Sequence, residues 1–151
     1  MTDEWHWDDG SIAASEELYR HVPREPNKKK RKDPTTGEWS LTAAAFTTDE
    51  MQEDGWSIYR NGLMCQHGLT QADIENSGDE PREVWAFQVV DVRDVDGCGV
   101  IDQEDPAGGM LGRAHGLVRC SEPKPEKKKI VALRNNLINR ATPRQEPLKS
   151  V

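Results

Sequence analysis

The strongest pattern along the chain is the run Glu83 to Val92 (EVWAFQVVDV). Its β-branched and aromatic residues follow one another between Pro81 and Asp94. Such a run predicts a buried strand. Three further stretches read as strands. Trp56-Ser57-Ile58-Tyr59 alternates with a period of two, Gly97 to Ile101 follows a turn, and Ala114 to Cys120 (AHGLVRC) alternates again. Helical spacing appears at three places. Ser11 to His21 carries Ile12, Leu18 and Tyr19, with Val22 just beyond, and predicts a short amphipathic helix opened by Ser11 and ended by Pro23 and Pro26. Leu69 to Ile74 predicts a short helix capped by Thr70. Glu126 to Ala141 predicts a final helix with Ile130, Leu133, Leu137 and Ile138 on one face.

The segments between these are polar. Asn27 to Lys32 (NKKKRK) runs into Asp33-Pro34-Thr35-Thr36-Gly37, and turn chemistry of this kind predicts an exposed basic loop over about residues 24–37. Glu38 to Leu41 opens the next ordered piece, and Ala43-Ala44-Ala45-Phe46 is small enough to run against another backbone. Asp49 to Gly55 reads as an acidic turn, Asn76 to Pro81 and Asp102 to Gly109 as loops. Strands interrupted by single helices, with connections too short for parallel crossovers, predict an α+β fold. The expected architecture is a small, mainly antiparallel sheet with short helices on one face and a C-terminal amphipathic helix. Residues 1–142 form the single domain of this reading, and 143–151 a flexible tail.

Composition sharpens this picture. The chain has 151 residues, of which 34% are hydrophobic and 31% charged, with a mean hydropathy of −0.85. A compact core with polar arms fits such values. No apolar run approaches the roughly 18 residues of a membrane helix, and the acidic, aromatic start Met1 to Trp7 does not resemble a signal peptide. The expectation is a cytoplasmic protein without a membrane partner. The net charge of −7 is unevenly spread: −2 over residues 1–47, −12 over 48–105 and +7 over 106–151. An acidic chain argues against nucleic-acid binding as the main role. The basic segments Lys28 to Lys32 and Lys127 to Lys129 keep a phosphate-backbone contact open. Three widely spaced cysteines, Cys65, Cys98 and Cys120, do not make a disulfide framework and read as reduced, ordinary thiols.

Three stretches carry a resemblance. They are Glu17-Leu18-Tyr19-Arg20-His21-Val22-Pro23, then Trp39 to Phe46 with Trp56 to Tyr59, then Arg113 to Val118 with Lys127 to Ala141. In this order they resemble a group of small prokaryotic proteins with the pattern LYRR-P, W-RPSSAAF-LSV and HA-hydrophobic before a basic terminal helix. The chain departs from that pattern at Ser40-Leu41-Thr42-Ala43, in the acidic Met51 to Asp54 region and in the lysine run. The resemblance implies a bacterial or archaeal cytoplasmic protein from a defence or toxin–antitoxin-like operon. It implies no reaction.

Candidate chemistry is sparse. His115 lies in a strand signal beside Arg113 and Arg119, and could act as a base or ligand with Arg20 and Arg113 holding an anion. The alternative is a structural histidine and an arginine paired with the acidic middle. Cys65 and His67 offer two soft ligands, short of the three or four that zinc takes. A calcium loop aligned on Gly97 fails at Val92 and Gln103. No nucleophile elbow or phosphate loop is present, and no cofactor is expected. Trp5 and Trp7 alternate with acids at the N-terminus, either docking on the domain or anchoring a partner. The expected role is therefore a non-enzymatic protein-interaction or regulatory subunit. Its partner surface would comprise Trp5, Trp7, Lys28, Lys29, Lys30, Arg31 and Lys32. The alternatives are a small enzyme or toxin centred on His115 and a nucleic-acid accessory protein.

Overall fold

The computed structural model describes residues 4–144. Eight strands and five α-helices follow in the order β1 (Glu17–Pro23), β2 (Lys30–Lys32), β3 (Trp39–Leu41), α1 (Thr48–Glu53), β4 (Trp56–Arg60), α2 (Asn61–Gln66), α3 (Gln71–Glu75), β5 (Arg82–Gln88), α4 (Val89–Arg93), β6 (Cys98–Asp102), β7 (His115–Cys120), α5 (Lys127–Arg140) and β8 (Thr142–Arg144). Short 3-10 turns sit at Ala43–Ala45, Pro106–Gly108 and Leu111–Ala114. Six strands form one sheet in the order β6-β7-β4-β1-β5-β8, with every neighbouring pair antiparallel. β2 and β3 form a separate antiparallel hairpin. The architecture is α+β with a mainly antiparallel sheet and a C-terminal helix.

The central strand departs from its periodicity. Residues 17–23 are β1, although Ser11 to His21 predicts a helix. Within 17–23 the apolar residues satisfy the strand period: Leu18, Arg20 and Val22 face one way and Tyr19 and His21 the other. β1 pairs with β5 along its whole length and with β4 at Leu18 and Tyr19. Two ladders of hydrogen bonds outweigh a weak local helix signal. Ser11 caps nothing; its amide and hydroxyl both donate to the Asp9 carboxylate.

Four other segments also differ. The basic stretch is not a loop throughout, because Lys30–Lys32 pairs with Trp39–Leu41. The acidic stretch is the helix α1, whose N-cap Thr47 accepts the Glu50 amide. The strand signal from Glu83 ends at Gln88, where the Asp91 carboxylate accepts the Gln88 amide in a capping box and starts α4. Beyond Ala141 the chain is not loose at once: Thr142, Pro143 and Arg144 pair with Ala86, Trp85 and Val84. The rest of the expected tail, 145–151, lies outside the described residues.

The strands carry apolar side chains on both faces, so both faces need cover. On one face Leu18, Trp56, Ile58, Trp85 and Phe87 pack against Ile130, Leu133 and Leu137 of α5 and Met51 of α1. On the other face Tyr19, Val84 and Ala86 pack against Met64 of α2, Ile74 of α3, and Leu111 and Ala114. The short helices thus lie on both faces of the sheet, whereas the sequence predicts them on one. Thr70 does cap α3, closing a capping box with Asp73. Among the described residues, no helix is long and apolar enough to cross a membrane.

Candidate functional site

The β2–β3 hairpin is largely exposed, with only Lys30 and Leu41 buried among its strand residues. Its cross-strand pairs are Lys30 with Leu41, Arg31 with Ser40 and Lys32 with Trp39. The turn between them is built, not slack. The Asp33 carboxylate accepts the amides of Thr35 (2.7 Å) and Thr36 (3.2 Å), which holds its carboxyl below the usual range. Gly37 takes φ 74°, a left-handed turn that suits glycine. One end of the hairpin is anchored by Leu41, which is buried in the main core.

Lys30 provides the second anchor. Its Nζ donates to the Arg24 carbonyl (2.6 Å) and lies 3.1 Å from Glu83 Oε1. The same ammonium sits 5.1 Å from the centre of the Trp39 ring. Lys30 is therefore committed to the fold, whereas Lys28, Arg31 and Lys32 are exposed. Trp39 is 41% exposed and, with Met110, forms the set of exposed large hydrophobics among the described residues. A polar cleft of about 260 Å³ opens against Arg31, Asp33 and Ser40. The result is a rigid basic ribbon with a presented indole.

His115 lies elsewhere, on the sheet face covered by α2 and α3. Its Nδ1 is 2.7 Å from the Gln103 carbonyl, so Nδ1–H donates to that oxygen. Its ring meets Tyr59 edge-on at 5.9 Å, and Tyr59 stacks on His21 at 6.1 Å. This His21–Tyr59–His115 row crosses β1, β4 and β7, and of its members only His115 is a candidate from the sequence. Cross-strand register brings the row together, and no spacing along the chain announces it. Arg82 donates to His21 Nε2 (3.2 Å), which requires a neutral ring there. Burial, with the Arg82 charge second, brings the His21 pKa down to about 4. Burial likewise pushes the Tyr59 hydroxyl up. The Arg82 hydrogen bond and the lowered pKa both favour a neutral His21 ring at neutral pH.

Arg20 does not join His115. It projects to the opposite face of the sheet, where Nε and Nη2 donate to the Ala45 carbonyl and Nη1 donates to the Ser57 carbonyl (2.8 Å). Glu50 lies 3.3 Å away, and the guanidinium covers the Phe46 ring at 5.0 Å. Desolvation lowers its pKa, and Glu50 acts against that shift. Arg113 is exposed at the turn that precedes β7. The trio His115, Arg20 and Arg113 is thus split by the sheet.

The N-terminal tryptophans are half-buried. Trp5 Nε1 donates to the Cys120 carbonyl (2.9 Å), and the Arg119 guanidinium lies 4.1 Å from its ring centre. That is the docked alternative of the sequence reading. Cys65 and His67 sit at the end of α2 and just past it. Among the described residues, no three His, Cys, Asp or Glu side chains are grouped to hold a metal ion. Lys127 and Lys128 are exposed in the first turn of α5, while Lys129 donates to the Ser121 hydroxyl (3.2 Å).

No protein-family model, curated protein or solved structure matches the chain. The likeness to the prokaryotic group with the LYRR-P pattern therefore rests on its three short motifs.

Proposed function

We propose that this chain is a non-enzymatic protein-interaction or regulatory subunit, and that it meets an acidic protein partner through the β2–β3 hairpin. The observation that carries the reading is Trp39, a large indole held in the open by Lys30 and flanked by Arg31 and Lys32. Tryptophan and arginine are the residues most often found as binding anchors, and a rigid ribbon loses little entropy on docking. The split of His115 from Arg20 supports the same reading, since the anion clamp proposed for an enzyme is not assembled. The resemblance to small prokaryotic proteins adds a cytoplasmic setting and a defence or toxin–antitoxin-like operon.

A second reading has one specific support. A basic ribbon with a stacking aromatic also suits single-stranded nucleic acid. Salt distinguishes the two, because phosphate contacts release counterions and weaken steeply as salt rises.

The experiment is native mass spectrometry on tagged chain recovered from its own host at natural expression level, beside the variants Trp39→Ala and Arg31→Glu. A stoichiometric protein partner kept by the wild type and lost by both folded variants supports the reading. A lone chain, or co-purifying nucleic acid released by salt, overturns it.

A further inference from the structure

We propose that Cys98 and Cys120 form a redox dithiol that closes to a cross-strand disulfide when the protein meets a hydroperoxide. The two residues face each other across β6 and β7, and their Sγ atoms are 3.8 Å apart. Hydrogen bonding along these strands fixes what kind of pair they are. The Ser121 amide donates to the Gly97 carbonyl (2.7 Å), and the Gln103 amide donates to the His115 carbonyl (3.0 Å). Hydrogen-bonded pairs therefore fall at 97/121 and 103/115, and with them 99/119 and 101/117. Cys98 and Cys120 occupy a non-hydrogen-bonded position, where opposed side chains come closest in an antiparallel ladder. The usual Cα spacing there, about 4.5 Å, lies inside the range a disulfide spans. Rotation about the Cα–Cβ bonds brings sulfur atoms at 3.8 Å to a bonded separation near 2.0 Å without moving a strand.

The surrounding charge acts on both thiols. The hydrogen bond between the two sulfurs lowers the pKa of Cys120, and the Lys129 ammonium, placed beside Gly97 and bonded to Ser121, lowers that of both thiols. The Cys98 thiol is pushed up by that same bond and by burial. Both side chains are almost fully enclosed. They lie near the strand ends, beside the turn at Gly97, so opening that end admits a small oxidant. Cys65 lies on α2, which packs on the other face of the sheet.

The chemistry balances as follows. The Cys120 thiolate attacks one oxygen of hydrogen peroxide, an S–O bond forms, the O–O bond breaks, and hydroxide leaves and takes up a proton as water. The Cys98 sulfur then attacks the sulfenic sulfur, an S–S bond forms, the S–O bond breaks, and the thiol proton leaves with the oxygen as a second water. Two electrons pass from the thiols to the peroxide. Dithiothreitol restores both thiols by exchange. The closed ring encloses the segment 99–119, which includes His115, and ties the edge strand to its neighbour.

The test uses purified full-length protein treated with hydrogen peroxide, then unfolded and alkylated. The expected product is a monomer lighter by two hydrogens, with Cys65 alone alkylated and a Cys98–Cys120 linked peptide that dithiothreitol removes. The oxidised form should melt several degrees higher, because the cross-link restricts the unfolded chain. The variant Cys65→Ser should give the same linked peptide and no alkylation. Alkylation of Cys98 and Cys120 after oxidation would overturn the proposal. So would irreversible sulfinic or sulfonic products, or dimers linked through Cys65. The measurement reads covalent mass, so it stands or falls independently of any partner at the hairpin.

Discussion

The Arg119 guanidinium lies over the Trp5 ring, 4.1 Å from its centre, although the two residues are far apart in the chain. Arg119 also donates to the Asp54 carbonyl (2.7 Å), to the Asp54 carboxylate (2.5 Å) and to the His6 carbonyl (2.8 Å). The guanidinium thus ties the N-terminal segment to the turn before β4. Trp5→Ala removes the ring and one hydrogen bond and is expected to cost about 1–3 kcal/mol. Denaturant unfolding followed by far-UV circular dichroism measures it. An unchanged midpoint would restore Trp5 as a free partner anchor.

Arg20 and His115 should behave oppositely on substitution. Arg20 is buried and serves two backbone carbonyls, so Arg20→Ala is expected to cost about 3 kcal/mol by leaving them unpaired. Arg20→Lys should recover little, since one ammonium cannot reproduce the fork. His115→Ala removes one exposed hydrogen bond and should cost about 1 kcal/mol or less. Parallel urea titrations of the three variants decide it.

The acid response should carry a His21 component. Its folded pKa is about 4 against an ordinary 6.5, so the unfolded chain binds the extra proton between those values. Stability from this group is fully present above pH 6.5 and is lost as pH falls towards 4. The expected loss is on the order of 2 kcal/mol. His21→Gln should flatten the stability profile between pH 6.5 and 4 relative to wild type. An identical slope in both proteins would show that the ring charges freely in the fold.

Lysines at the start of α5 oppose the helix dipole. The first turn has no acidic residue, and Glu126 makes no side-chain cap. Lys128→Glu should therefore stabilise the protein by about 0.5–1 kcal/mol. If Lys128 serves an acidic partner or a phosphate backbone, the same change should weaken that binding. A thermal melt paired with a binding titration reads both effects.

Legibility differed by element for physical reasons. The strand signals at Trp56 to Tyr59, Gly97 to Ile101 and Ala114 to Cys120, the Thr70-capped helix and the final helix all appear within a residue or two of their expected places. Each combines its own period with a local stop or cap. β1 was not legible as a strand, because Leu18 and Tyr19 are adjacent apolar residues that suit a helix face as readily as a strand lying between two covered faces. The hairpin was hidden under its charge: Lys30 to Lys32 has no apolar alternation, and it becomes a strand only because Trp39 to Leu41 is brought back beside it.

The candidate site divides the same way. The exposed basic character of residues 28–32 belongs to composition, since several adjacent cations are not buried without partners. That one of them, Lys30, is nonetheless enclosed between Glu83 and the Arg24 carbonyl follows from the packing of the hairpin on β5. Sequence alone determined the class of fold, the polar arms and the charge segregation, because these depend on local period and residue type. Tertiary structure alone decided that Arg20 and His115 lie on opposite faces, that His21 and Tyr59 join His115, and that Cys98 opposes Cys120. Those facts depend on strand order and register, and a shift of one residue in register exchanges the faces of every side chain on a strand.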